Sequence, residues 1–252
     1  MLIGVDMLGL QSPESRERGI GRYCRHFLQA FAPLAARSGV ELLAYVHDLL
    51  PGPPAEILAH FPTTRLVARD STRVYSSTST LRRLLQRNTD GLDAVLWPSP
   101  MEPCSGFHPA ARGLHGPASF AVLYDLIPML WPERYLHSEA TRKHYLRGFQ
   151  ILRRYDRLFA ISEATRRDAI EYLGVHEEKV VNIGCASDPS YFAPSPTPDQ
   201  RPADAHQALR RLGIKRPFLL NVGGEDDRKN VWGVLDGFAL LPSDVREGVQ
   251  LV

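Results

Sequence analysis

The sequence predicts an α/β fold, a doubly wound parallel sheet followed by an incomplete second unit of the same kind. Three observations carry that expectation. Short apolar runs alternate with helical periodicity from the first residue onward, as they do where helices cover both faces of a parallel sheet. Glycine-bearing segments, around Gly19 and Gly21 and again at Gly223 and Gly224, sit where a strand passes into a helix. Residues 193–202 shift to Pro, Ser, Thr and Asp, the composition of an interdomain connection, and the strand–helix pattern restarts beyond them. The expected division is a first domain at 1–194 and a linker with the start of a second domain at 195–252.

Residues 2–5 open the pattern as a buried strand. After a polar loop, Ile20, Cys24, Phe27, Leu28, Phe31, Leu34 and Ala35 recur at three- and four-residue spacing, one stripe of an amphipathic helix that Gly39 stops. Further buried strands are expected at 42–46, 66–68, 94–97, 120–124, 158–161 and 180–183. One helix should run from Glu139 to about Tyr155, and another should follow Ser162, whose hydroxyl suits an N-cap, and end near Gly174. The second unit offers a helix around 207–212, a strand at 218–222, a helix from about 230 to 241 and a strand starting at 249–252. A single βαβ unit is too narrow a sheet to close a domain by itself.

The 252 residues, 44% apolar and 23% charged, suffice for one sizeable core and part of another. Lys plus Arg number 30 against 28 Asp plus Glu, so the net charge of +2 gives no global attraction to nucleic acid. Cys24, Cys104 and Cys185 are far apart and form no CxxC pair, so neither a disulfide framework nor a metal site is expected, and a reducing cytoplasm fits. The opening residues carry no basic leader, and no apolar run reaches the ~18 residues of a spanning helix.

Several segments could carry chemistry. Arg18-Gly19-Ile20-Gly21-Arg22-Tyr23 lies between the first strand and the first helix, where backbone N–H groups and the helix terminus can face a phosphate. It is not a dinucleotide fingerprint, because Cys24 occupies the third glycine position of GxGxxG, and the glycines could equally serve only the turn. In the second unit, Arg228 and Lys229 stand at a helix start, where two cations oppose the helix dipole and a bound diphosphate would relieve the cost. The alternative is a solvated loop in which Glu225, Asp226 and Asp227 neutralise them. Asp125, after a buried strand, is either a ligand-facing carboxylate or the cap of the turn before Pro128. Glu163 and Glu171 lie on one helix among Arg166, Arg167 and Asp168, where pairing on a wet face explains them. Arg142, Lys143, Arg147, Arg153, Arg154 and Arg157 form a basic cluster with Tyr145 and Phe149. It reads as a solvated face, with docking to an anionic membrane as the alternative.

In order along the chain, these segments resemble the retaining glycosyltransferases of family four. Arg18 to Tyr23 looks like the family's GIGRY element. Val122-Leu123-Tyr124-Asp125-Leu126-Ile127-Pro128 is similar to its HDLIP element, with Tyr124 at the histidine position. Ser162-Glu163-Ala164-Thr165-Arg166-Arg167-Asp168 resembles SxxTRRD, and residues 218–230 resemble LNVGxxxxRKN. The resemblance implies the GT-B architecture, two Rossmann-like domains facing across a cleft, with the acceptor on the first and a nucleoside-diphosphate sugar on the second. No metal and no cofactor beyond the donor is implied.

Carried over by position, Tyr124 and Asp125 would face the reacting sugar. Gly19, Ile20, Gly21, Arg22 and Ser162 would line the substrate site, and Arg228 and Lys229 would hold the departing diphosphate. The family's two sugar-binding glutamates, seven residues apart, would follow Val252, so these 252 residues alone are expected to transfer no sugar. The implied acceptor is a saccharide or lipid-linked saccharide, reached from the cytoplasm with peripheral membrane contact. Two other readings share the sequence: a non-catalytic saccharide-binding or interaction module, and a nucleotide-sugar epimerase of the same architecture.

Overall fold

The computed structural model describes residues 1–67, 81, 84–102, 116–187, 203–224 and 226–252. Cys104, Glu225 and the 193–202 stretch lie outside the described residues. The chain divides into two compact units, Met1–Asp188 and Pro189–Val252.

The first unit is built on a seven-stranded sheet in the order β3-β2-β1-β4-β5-β6-β7, every neighbouring pair parallel. The strands are β1 (Leu2–Asp6), β2 (Glu41–His47), β3 (Thr63–Val67), β4 (Ala94–Trp97), β5 (Ala118–Leu123), β6 (Arg157–Ala160) and β7 (Val180–Asn182). Alternate side chains feed two cores. On one face Ile3, Val5, Leu42, Ala44, Val46, Ala94 and Leu96 pack with Cys24, Leu28, Ala32 and Ala35 of the Gly19–Arg37 helix. On the other, Leu43, Tyr45, Val95, Trp97, Ala121 and Leu123 pack with Phe149 and Leu152 of the Glu139–Leu152 helix and with Leu173 of the Glu163–Leu173 helix. Burial on both faces is why these strands read as continuous apolar runs rather than alternating ones.

Local chemistry fixes the helix ends. Ser138 and Ser162 each accept a hydrogen bond at 3.1 Å from the backbone N–H of Thr141 and Thr165, and Gly39 and Gly174 close their helices in the left-handed region at φ 68° and 63°. Several expected bounds move. A short buried helix at Leu8–Gln11 occupies part of the expected polar loop, and the next helix begins at Gly19 itself, so residues 19–23 open that helix and are not a loop before it. Leu34 is 53% exposed and leaves the expected stripe, which runs through Ala32 and Ala35 instead. The edge strand β3 covers Thr63–Val67, polar at its start with Leu66 63% exposed, so the buried run expected at 66–68 meets only its end, and Ala68 lies outside the described residues. The helix from Glu139 stops at Leu152, where a hydrogen-bonded turn carries the chain to the fully buried Tyr155.

In the second unit, β8 (Phe218–Leu219) and β9 (Gln250–Leu251) form a two-stranded parallel sheet accompanied by helices at Ala203–Arg211, Val231–Ala239 and Ser243–Gly248. The pairing is shorter than the strand expected at 218–222. Of the described residues in this unit only Ile214 is buried, while Val222, Trp232 and Leu240 are each about four-fifths exposed.

Candidate functional site

The strand order reverses between β1 and β4, and in open parallel sheets the crevice beyond the carboxyl ends of such strands receives ligands. β1 delivers Asp6 to that edge, β2 delivers His47, and Ser99 and Glu102 follow β4. All four are buried. The Asp6 carboxylate lies 2.9 Å from His47 Nε2 and accepts from the Leu8 N–H. Gln11 clamps the same corner, accepting from His47 N–H and donating to the carbonyls of His47 and Pro51.

Between this corner and the helix at Gly19, Ser15 is the knot. Its carbonyl accepts from Arg18 N–H at 2.8 Å and from Gly21 N–H at 3.1 Å, and its hydroxyl donates to Glu102 Oε2 at 2.8 Å. Ser99 donates to the other carboxyl oxygen of Glu102 at 2.5 Å. Burial pushes the Glu102 carboxyl above its usual range, against the hydrogen bonds from Ser99, Ser15 and Ser12, and the nearby Asp6 pushes it further. A carboxyl whose folded pKa is raised binds more protons in the folded than in the unfolded state. Its stability contribution therefore falls as the pH rises from about 4.5 through the folded value and is constant above it. Glu102→Gln should remove this slope: in thermal melts the variant gains on the wild type as the pH climbs through that window. A constant difference between the two would rule the slope out.

The two glycines of the helix start do different work. A Cβ on Gly21 would lie 2.4 Å from Ser15 O and 2.5 Å from the Cα and O of Arg16, and the Gly21 amide is already given to Ser15. The expectation that Gly21 approaches a ligand is thus met instead by packing: the loop lies directly on it. Gly19 is exposed with nothing within 4 Å of a built Cβ, and the N–H groups of Gly19 and Ile20 find no acceptor among the described residues. This is an open helix terminus flanked by the exposed side chains of Arg18 and Arg22.

Tyr124 stands just beyond β5 and reaches the same corner, edge-on to Tyr23 with ring centroids 5.4 Å apart. The long phenol carries its hydroxyl past the position an imidazole would occupy. It donates inward to Pro98 O at 2.9 Å and lies 3.2 Å from Cys24 Sγ. Its single hydrogen is therefore spent within the protein, and burial holds it well above its usual pKa as a neutral phenol. Burial likewise pushes the Cys24 thiol up to about 12, leaving it unreactive. Asp125 is exposed and accepts from Ile127 N–H at 3.0 Å, so it caps the turn while its carboxylate still faces solvent.

Ser162 follows β6 at the same edge, where its hydroxyl caps the Glu163–Leu173 helix and Thr165 donates to the Tyr124 carbonyl at 2.9 Å. Glu163 pairs with Arg166 at 3.2 Å, the surface pairing expected for it. In the second unit, Asp226 holds the Arg228 guanidinium at 2.6 Å, and Lys229 is exposed.

The structure thus gathers Gly19, Ile20, Gly21, Arg22, Tyr124, Asp125 and Ser162 at one edge of the first sheet, while Arg228 and Lys229 belong to the second unit. Sequence reasoning missed Asp6, His47, Ser15, Ser99 and Glu102. The available signal was a polar residue at or just past the end of a buried strand, which marks Asp6, His47 and Ser99. Among the described residues no cluster of His, Cys, Asp and Glu is placed to hold a metal, and no helix is long and apolar enough to cross a membrane.

Comparison with known proteins covers most of the first unit. Residues 18–191 match the family described as Glycosyltransferase Family 4. A serotype-specific mannosyltransferase, WbdA of Escherichia coli, is 28% identical over 132 residues, 52% of this chain and 16% of that protein. The match therefore spans about a sixth of the curated relatives. Among solved structures, HepE of Anabaena in complex with UDP aligns over the whole of this chain and 61% of its own, at 14% identity and a TM-score of 0.57. Its complex with UDP and glucose aligns at 15% identity, a TM-score of 0.58 and 60% of that chain. At such identities the likeness is one of fold.

Proposed function

Since the chain belongs to Glycosyltransferase Family 4, we propose that it is the acceptor-side domain, with the opening of the donor-side domain, of an enzyme that moves a sugar from a nucleoside diphosphate to a saccharide or lipid-linked acceptor with retention of configuration. One observation carries the reading beyond family membership. The open amides of Gly19 and Ile20, on a long helix, sit at the strand-order reversal in the same corner as the segment bearing Asp125. A helix terminus of this kind attracts phosphate through unpaired N–H groups and its dipole. In this reading Gly19, Ile20 and Arg22 meet donor phosphate, Arg228 and Lys229 neutralise the diphosphate as it leaves, and Asp125 meets sugar hydroxyls. Ser162 and Gly21 shape the site from beneath. That HepE was solved with UDP and with glucose supports a nucleotide-sugar donor. Exposed Trp131 and Leu146 beside Arg134, Arg142, Lys143 and Arg147 support contact with an anionic membrane where a lipid-linked acceptor would be met.

The inward Tyr124 hydroxyl favours a second reading, in which the same site holds a saccharide without turnover. Calorimetric titration tests the first. UDP or GDP should bind, and uridine and guanosine, lacking the diphosphate, should bind at least about tenfold more weakly, the loss expected for one or two charged contacts. Equal binding of nucleosides and nucleoside diphosphates would sink the donor-site reading. Saccharide binding without any nucleotide binding would establish the second.

A further inference from the structure

The mechanism just described gives no part to Glu102, although it is one of the most deeply buried charged side chains of the first unit, 1% exposed, and lies at the strand-order reversal. Its carboxyl is held from two directions. Ser99 donates to it from the segment leaving β4, and Ser15, together with Ser12, donates to it from the segment approaching the helix at Gly19. Ser15 is in turn the acceptor for the amides of Arg18 and Gly21, and its carbonyl lies against the space where Gly21 lacks a side chain. A continuous chain of contacts therefore runs from the end of β4 through Ser99, Glu102 and Ser15 to the first turn of the helix, crossing 87 residues of sequence in the Ser15–Glu102 step.

We propose that Glu102 is a positioning residue: it accepts hydrogen bonds from Ser15 and Ser99, ties the loops on the two sides of the strand-order reversal, and fixes where the open amides of Gly19 and Ile20 point. It does not touch substrate, being closed off from solvent. The ligand consequence rests on the nucleotide-sugar reading above, whereas the positioning itself does not. The side chain that performs this task needs length and two polar ends rather than charge. Glutamine keeps the length and can exchange hydrogen bonds with both hydroxyls, since a serine accepts as readily as it donates. Alanine removes the link for the buried hydroxyls of Ser12, Ser15 and Ser99 alike.

The test compares Glu102→Ala, Glu102→Gln and Ser15→Ala in the whole chain. The first readout needs no ligand: amide hydrogen exchange at Arg18 and Gly21, the two amides held by Ser15. Loss of the link should speed exchange there by about tenfold or more in Glu102→Ala and Ser15→Ala while β1 and β4 amides stay protected, and Glu102→Gln should stay near the wild type. Ser15→Ala supplies the result should Glu102→Ala fail to fold. Unchanged exchange at both amides in the folded variants would overturn the proposal, as would equal acceleration in Glu102→Gln.

The second readout is affinity for inorganic pyrophosphate. It should fall about tenfold in Glu102→Ala and be kept in Glu102→Gln, the loss expected when one backbone amide is no longer aimed at the charged phosphate. Wild-type protein that binds no pyrophosphate would remove the phosphate role of the helix terminus. The exchange result would still decide the positioning role by itself.

Discussion

Gly21→Ala is expected to destabilise the first unit by about 1–3 kcal/mol, the usual cost of forcing a methyl into filled space. All three atoms nearest the added Cβ, at 2.4–2.5 Å, are backbone atoms of Ser15 and Arg16, which cannot swing aside as a side chain can. Alanine's better helix propensity, worth up to about 1 kcal/mol over glycine, offsets only part of this. For a unit of this size the melting temperature should fall by about 2–10 °C. Gly19→Ala is the matched control, since its Cβ meets nothing within 4 Å and should leave stability unchanged or slightly raised. If Gly21→Ala melts with the wild type, the loop is not seated on that glycine as described. The pair also separates packing from recognition, because a loss of nucleotide binding in Gly19→Ala with an unaltered melt would place the ligand at the open position.

The second large effect concerns Arg228 and Lys229. If they hold a diphosphate, replacing both by alanine removes two charged contacts of about 1.5–3 kcal/mol each, so UDP affinity should drop by about a hundredfold or more. Stability should change little, because the Arg228–Asp226 pair is partly open to solvent, with side chains 43% and 28% exposed, and such surface pairs are worth about 0–1 kcal/mol. The competing account, in which Asp226 simply neutralises Arg228, predicts UDP binding within about twofold of wild type, since surface charges without a ligand contribute little. Calorimetry beside a thermal melt decides. In an assay of sugar transfer the loss should exceed the loss of binding, because negative charge accumulates on the leaving phosphate in the transition state. A normally folded double variant with wild-type affinity would remove both residues from the site.

The sheet was legible because its strands are buried on both faces, so 42–46 and 94–97 appear as unbroken apolar runs. Only the end of β3 was legible, for the opposite reason: at the edge, Thr63, Thr64 and Arg65 face solvent and look like loop. Helix ends at Ser162 and Gly174 were readable from capping chemistry, since a serine hydroxyl and a left-handed glycine leave local marks. What could not be read was long-range. Nothing near Glu102 in sequence shows that Ser15 will be its partner, and nothing near Tyr124 shows that its hydroxyl will find Pro98. The two glycines of one short segment looked equivalent, and only the path of the preceding loop distinguishes the packed one from the open one.

The strand order also governs how the chain can fold as it is made. Of the strands in this sheet β1 is made before the others and sits between β2 and β4, so one of its flanks stays unpaired until β4 appears. The Leu2 amide, for instance, is closed by the Asp93 carboxylate, 91 residues later. At translation rates of about 5–20 residues per second, that flank is exposed for roughly 5–20 seconds on every nascent chain. Only after this interval can the corner that unites Asp6, Ser15 and Glu102 come into existence. Nascent chains released before Trp97 should therefore associate with one another or with chaperones, since the flank of β1 that pairs with β4 is still open in them.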